Sequence, residues 1–254
     1  MAARVILITG ASGGIAQEII KRLTREDHVI LLGRQESKLQ DLYRHVPNKT
    51  CIELDITQAD SLSPVIDQIY QQHGAIDILI NNAGFGTFKT FDAYAIDEIE
   101  EMFDVNTLAT IHLSRLIGQQ MAKRGSGHII TIASMAGLMA SAKATIYAAT
   151  KFAVIGFSNA LRLELAAHQV YVTTVNTGPV DTPFFDKADP SGQYLKSVEA
   201  FSLKPDHVAK KIIKIMGKNK RELNLPFALN IAHKLYSLFP WMGDFLARTL
   251  FHYK

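Results

Sequence analysis

The chain has 254 residues, is 48% hydrophobic, and carries 27 lysines and arginines against 24 aspartates and glutamates, a formal net charge of +3. That length supports one sizeable core, read as a single domain over 1–254, and the scattered basic residues, clustered only in KNKRE (218–222), exclude a nucleic-acid footprint. A single cysteine, Cys51, excludes an intrachain disulfide and fits a reducing cytoplasm, while nine histidines without HExxH, HxH or Cys/His ligand spacing supply no metal site.

The first predicted strand is RVILIT (4–9), whose apolar run is too short for a signal peptide or a membrane span. It runs straight into TGASGGIA (9–16), which opens a helix over 14–25. A dinucleotide pyrophosphate needs backbone that allows close approach and free amide donors at a helix N-terminus. Gly10, Gly13 and Gly14, with Ser12 and Ile15 among them, are the candidate phosphate-binding residues.

The second strand, HVILLG (28–33), is followed by Arg34 and a helix over 36–45. An acid at the strand end accepts hydrogen bonds from both ribose hydroxyls of NAD and repels a 2′-phosphate; an arginine does the reverse. NADP(H) is therefore expected over NAD(H), with Lys38 one turn on as a second cation. The bland alternative for Arg34 is a solvated residue at a strand end.

Strands TCIELD (50–55), IDILIN (76–81), GHIITIA (127–133), VYVTTVN (170–176) and a shorter RELNL (221–225) alternate with helical stretches at 61–73, 97–123, 145–168 and 206–217. Several strands are apolar at nearly every position, as strands covered on both faces should be. The pattern predicts an α/β fold, a doubly wound, Rossmann-like parallel sheet of about seven strands with helices on both faces. Within the helix over 145–168, YAATK (147–151) places Tyr147 and Lys151 on one face, four residues apart. A free phenol titrates at about 10, and a neighbouring ammonium favours its phenolate. A surface pair is the competing reading.

Together these segments resemble the short-chain dehydrogenase/reductase family, over about residues 4 to 225. TGASGGIA is similar to its TGxxxGxG loop, with Ala16 in place of the last glycine. Asp55 and Ile56 stand where the family places an acid beside the adenine ring, and NNAG (81–84), with Asn82, Ala83 and Gly84, matches its signature after the fourth strand. Ser134, Tyr147 and Lys151 match its Ser-Tyr-Lys set, and Asn106 its catalytic asparagine. The resemblance implies that Lys151 also holds the nicotinamide ribose, and that Gly178, Val180 and Thr182 hold the carboxamide, although Thr177-Gly178 replaces the family's Pro-Gly. The implied reaction is hydride transfer between nicotinamide and a carbonyl or alcohol carbon, with Tyr147 as proton donor and Ser134 as hydrogen-bond donor to the same oxygen. Alternatives are a non-catalytic nicotinamide-binding regulator, and an NAD-dependent alcohol dehydrogenase of the same family.

Residues 178–205 carry four prolines and two glycines and read as a long substrate loop. With the stretches after NNAG and Ser134 it offers Phe85, Phe88, Leu138, Met139, Phe184, Phe185, Tyr194 and Phe201, which point to an apolar carbonyl substrate. The apolar extension 226–254 places Phe227, Ile231, Leu235 and Leu238 at helical spacing. Pro240 and three charges argue against a bilayer span; a lid over the cleft, a subunit contact in a homo-oligomer, or docking at a membrane surface through Trp241 are the readings it allows.

Overall fold

A computed structural model describes residues 3–192, 195, 196 and 199–250. Seven strands form one parallel sheet: β1 (Val5–Thr9), β2 (His28–Gly33), β3 (Lys49–Glu53), β4 (Ile78–Asn81), β5 (Gly127–Ile132), β6 (Val170–Thr177) and β7 (Glu222–Leu225), in the order β3-β2-β1-β4-β5-β6-β7. The expected doubly wound sheet is the observed one.

Successive side chains of a strand point to opposite faces, and here both faces are covered. Ile6 and Ile8 of β1 pack on one side with Ala16 and Ile19 of α1 (Gly14–Ile20), Leu39 of α2 (Glu36–Leu42), and Val208 and Ile212 of α8 (Pro205–Ile215). Leu7 packs on the other side with Leu62 and Ile66 of α3 (Ala59–His73), Leu113 and Ile117 of α5 (Ala109–Arg124), and Leu165 of α6 (Thr145–Ala166).

The predicted helix 97–123 is divided. α4 (Ile96–Phe103) passes into a widened π turn over Asp104–Leu108 before α5 begins. Such a turn is a local widening of an otherwise continuous helix, and DVNTL carries no proline or glycine to announce it. Among the described residues of 178–205 are the short helix α7 (Phe184–Ala188) and a 3₁₀ turn at Glu199–Phe201, and Tyr194 lies outside the described residues.

Edge strand β7 leads through Pro226 into α9 (Phe227–Leu238), followed by α10 (Pro240–Leu250). An amide ladder ties α9 to the sheet: Asn176 Nδ2 donates to Asn224 Oδ1 at 2.7 Å, and Asn224 Nδ2 to Asn230 Oδ1 at 2.8 Å. Among the described residues no helix is long and apolar enough to cross a membrane.

Candidate active site

The strand order reverses between β1 and β4, and in an open parallel sheet the crevice at the strand C-termini beside such a reversal is where ligands bind. The glycine loop after β1 and NNAG after β4 meet there. Thr9, the last residue of β1, holds them together: its hydroxyl accepts from the backbone N–H of Asn82 and of Ala83, both at 3.0 Å. Asn82 Nδ2 returns two bonds, to Thr9 O at 3.1 Å and Gly10 O at 3.0 Å. Gly10 has φ +59°, and a Cβ on it would lie 2.7 Å from Ala83 Cα, so conformation and space both require glycine. On the other flank Tyr43 donates its hydroxyl proton to Ala11 O at 2.5 Å. Sequence reasoning missed Thr9 and Tyr43, because their partners are backbone groups far away in the chain.

α1 starts with Gly13 as its cap, without a side-chain hydrogen bond to its first amides and without an acid in its first turn. Those amides are donors in need of an acceptor. Arg34 and Lys38 stand exposed at the rim and enter no ion pair among the described residues. Across from them, the Thr57 hydroxyl (2.7 Å) and backbone N–H (3.0 Å) both donate to Asp55 and hold its carboxyl below the usual range.

Gly10, Gly13, Arg34, Lys38, Asp55, Thr57, Asn82 and Ala83 line one cavity of about 1930 Å³, together with Ser12, Gly14, Ile15, Ile56, Gly84, Ser134, Tyr147, Lys151, Gly178, Val180 and Thr182. A single small-molecule site usually measures about 300–1,000 Å³, so the space accommodates a dinucleotide and a second molecule.

In the middle of the cavity Tyr147 and Lys151 sit on the first turns of α6. The Lys151 Nζ lies 5.7 Å from the Tyr147 ring centre and donates to Ile132 O at 3.2 Å. The side chain is 5% exposed, and burial pushes its ammonium down to about 8. The Ser134 hydroxyl accepts from Ala136 N–H at 3.1 Å and donates to Thr177 O across 3.4 Å. The second bond is long enough to yield its proton to a better acceptor.

Asn106, in the π turn, stands behind this group and does not line the cavity. Besides its bonds to the Phe85 backbone, its Nδ2 donates to Thr150 Oγ1 at 3.1 Å, and Thr150 donates to Tyr147 O at 2.7 Å. Thr150 was also missed, a threonine hidden between the two informative ends of YAATK.

Phe88 meets the Tyr147 ring edge-on at 5.6 Å, and Phe184 lies 5.8 Å from it. Phe85, Phe184, Phe185, Phe201 and Met139 line the cavity, whereas Leu138 does not. Leu138 comes after the turn Met135–Gly137, and its neighbour takes the lining position instead.

A family model described as short chain dehydrogenase matches residues 4–192. The chain is 32% identical over 189 residues to an uncharacterized oxidoreductase of Staphylococcus epidermidis, covering 73% of this chain and 82% of that protein. It is 30% identical over 220 residues to one of Staphylococcus aureus, covering 85% and 92%. Among solved structures, a short-chain dehydrogenase from Streptomyces avermitilis superposes with a TM-score of 0.80 at 24% identity over 95% of this chain and 97% of that one. ElxO, solved with NADP bound, superposes with a TM-score of 0.79 at 24% identity over 88% and 97%. With the matched segment spanning both the glycine loop and the Tyr147–Lys151 pair, this chain belongs to the short-chain dehydrogenase family of oxidoreductases.

Proposed function

We propose that the protein is an NADP(H)-dependent oxidoreductase that interconverts a carbonyl and an alcohol on an apolar substrate. The observation that carries this reading is the meeting of Ser134, Tyr147 and the buried Lys151 in the cavity that also holds the glycine loop and Arg34. The residues fit a nicotinamide dinucleotide. The uncapped amides of α1 would hold its pyrophosphate, Arg34 and Lys38 its 2′-phosphate, Asp55 and Ile56 its adenine, and Lys151 with Gly178, Val180 and Thr182 its nicotinamide half.

When bound, the nicotinamide supplies hydride in reduction and accepts it in oxidation. Tyr147 donates its hydroxyl proton to the substrate oxygen, and Ser134 turns its hydroxyl from Thr177 O toward that same oxygen. Lys151, desolvated against Ile132 O, keeps positive charge beside the phenol and so favours loss of its proton. Asn106 acts as a positioning residue through Phe85 and Thr150.

Oxidation of NADPH by ketones and aldehydes of increasing apolar size tests the reading. Tyr147→Phe is expected to abolish turnover while NADPH binding stays within about threefold of the parent. Retained turnover would assign the proton to another group, and NADPH binding without turnover of any carbonyl would favour a regulatory role.

A further inference from the structure

The cavity does not end at Tyr147. It continues past Phe184 and Phe201 to the C-terminal helices, where Leu229, Ala232, Leu235, Tyr236 and Phe239 line it. Counted from Leu229 they fall at i, i+3, i+6, i+7 and i+10, one stripe along α9 and its C-terminal cap that runs on into α10 at Met242. Leu235 is 48% exposed, Phe239 46% and Met242 37%, so large apolar side chains are left open to the cavity instead of packing shut. The near end of the stripe touches the nicotinamide side of the site: a Cβ on Gly178 would lie 2.9 Å from Leu229 Cδ1. From Leu229 to Phe239 the helix rises about 15 Å, the extended length of roughly ten to twelve carbons.

Building on the activity proposed above, we infer that α9 and α10 form an apolar sleeve for the aliphatic tail of a long-chain carbonyl substrate, whose C=O lies at Tyr147. The tail is uncharged at its end. Asp244, which accepts from the Tyr236 hydroxyl at 3.2 Å, lines the cavity two residues beyond Met242, so a terminal carboxylate reaching that end meets like charge. The helices of the sleeve lie beyond residue 192, where the family match ends.

The test is NADPH oxidation by straight-chain aldehydes from about four to about twelve carbons, with each added methylene expected to raise kcat/KM roughly threefold to fourfold until the sleeve is full. Leu235→Ser combined with Phe239→Ser is expected to lower the ratio of long-chain to short-chain kcat/KM at least tenfold, about 1.4 kcal/mol. Phe227→Ser, on the outward face away from the cavity, is expected to leave that ratio as it was. An ω-carboxylated aldehyde of the same length is expected to be the poorer substrate. Binding of the matching long-chain alcohols is read directly by titration calorimetry. Turnover without a length preference, or a preference that survives the double variant, would overturn the sleeve and leave the hydride-transfer reading standing. Saturable one-to-one binding of the alcohols, weakened by the double variant but unaccompanied by turnover of any aldehyde, would keep the sleeve and sink that reading. Neither binding nor turnover would overturn both.

Discussion

Asn106 and Phe85 are joined by a reciprocal pair of hydrogen bonds: the Phe85 N–H donates to Asn106 Oδ1 at 2.9 Å, and Asn106 Nδ2 donates back to Phe85 O at 2.8 Å. The side chain thus replaces a backbone partner for the loop after NNAG and fixes it against α6. Asn106→Ala leaves both Phe85 groups unpaired, with an expected cost of about 2 kcal/mol, or about 4–8 °C in Tm for a chain of this size. A roughly tenfold or larger fall in kcat is expected with a smaller change in NADPH affinity, which steady-state kinetics and a binding titration would separate.

Gly86 supplies a second handle on the same loop. A Cβ there would lie 2.9 Å from Tyr147 Cδ2 and 3.1 Å from Phe184 Cζ, closer than carbon atoms pack. Gly86→Ala therefore displaces the phenol, and kcat/KM is expected to drop about tenfold to a hundredfold. The NADPH dissociation constant is expected to move by less than about threefold, since the glycine loop proposed to hold the phosphates is untouched.

The proposed preference for NADP(H) rests on Arg34. Arg34→Asp exchanges a cation for an acid at the end of β2, which disfavours a 2′-phosphate and suits a free ribose. The expected result is a much larger rise in KM for NADPH than for NADH, measured with one carbonyl substrate. Equal changes would remove Arg34 from the ribose phosphate and leave it a surface residue.

His128 makes stability depend on pH. It is buried, its Nδ1 accepts from Gly217 N–H at 3.0 Å, and its Nε2 accordingly donates to Thr173 Oγ1 at 2.8 Å, which fixes a neutral ring. Burial pushes its pKa from 6.5 down to about 4. The unfolded chain therefore takes up this proton first, and stability present above pH 6.5 is lost as the pH falls toward about 4, by about 3 kcal/mol at most. His28, also lowered by burial, adds to the slope. Thermal melts of His128→Gln are expected to show a lower Tm at neutral pH but a flatter decline on acidification than the parent protein.

Strand positions were legible because β1, β2, β4 and β5 are covered on both faces and so read as continuous apolar runs. Gly10, Gly13 and the Tyr147–Lys151 spacing were legible because backbone geometry and helix periodicity leave a mark in sequence. Groups that act across the fold leave none: Thr9 and Tyr43 bind main-chain atoms, and nothing in their neighbours announces it. The extension was half legible. Of the stripe formed by Phe227, Ile231, Leu235 and Leu238, only Leu235 lines the cavity, because α9 is apolar on two faces and one amphipathic pattern masked the other.

The attachment of α9 to the last edge strand has an evolutionary consequence. The residues proposed to handle protons and nucleotide all lie before β7, and the chain beyond Pro226 is a helical cassette resting on an amide ladder. Lineages can rewrite such a cassette without retuning the reaction centre, and a protein engineer can graft a foreign one at the same junction.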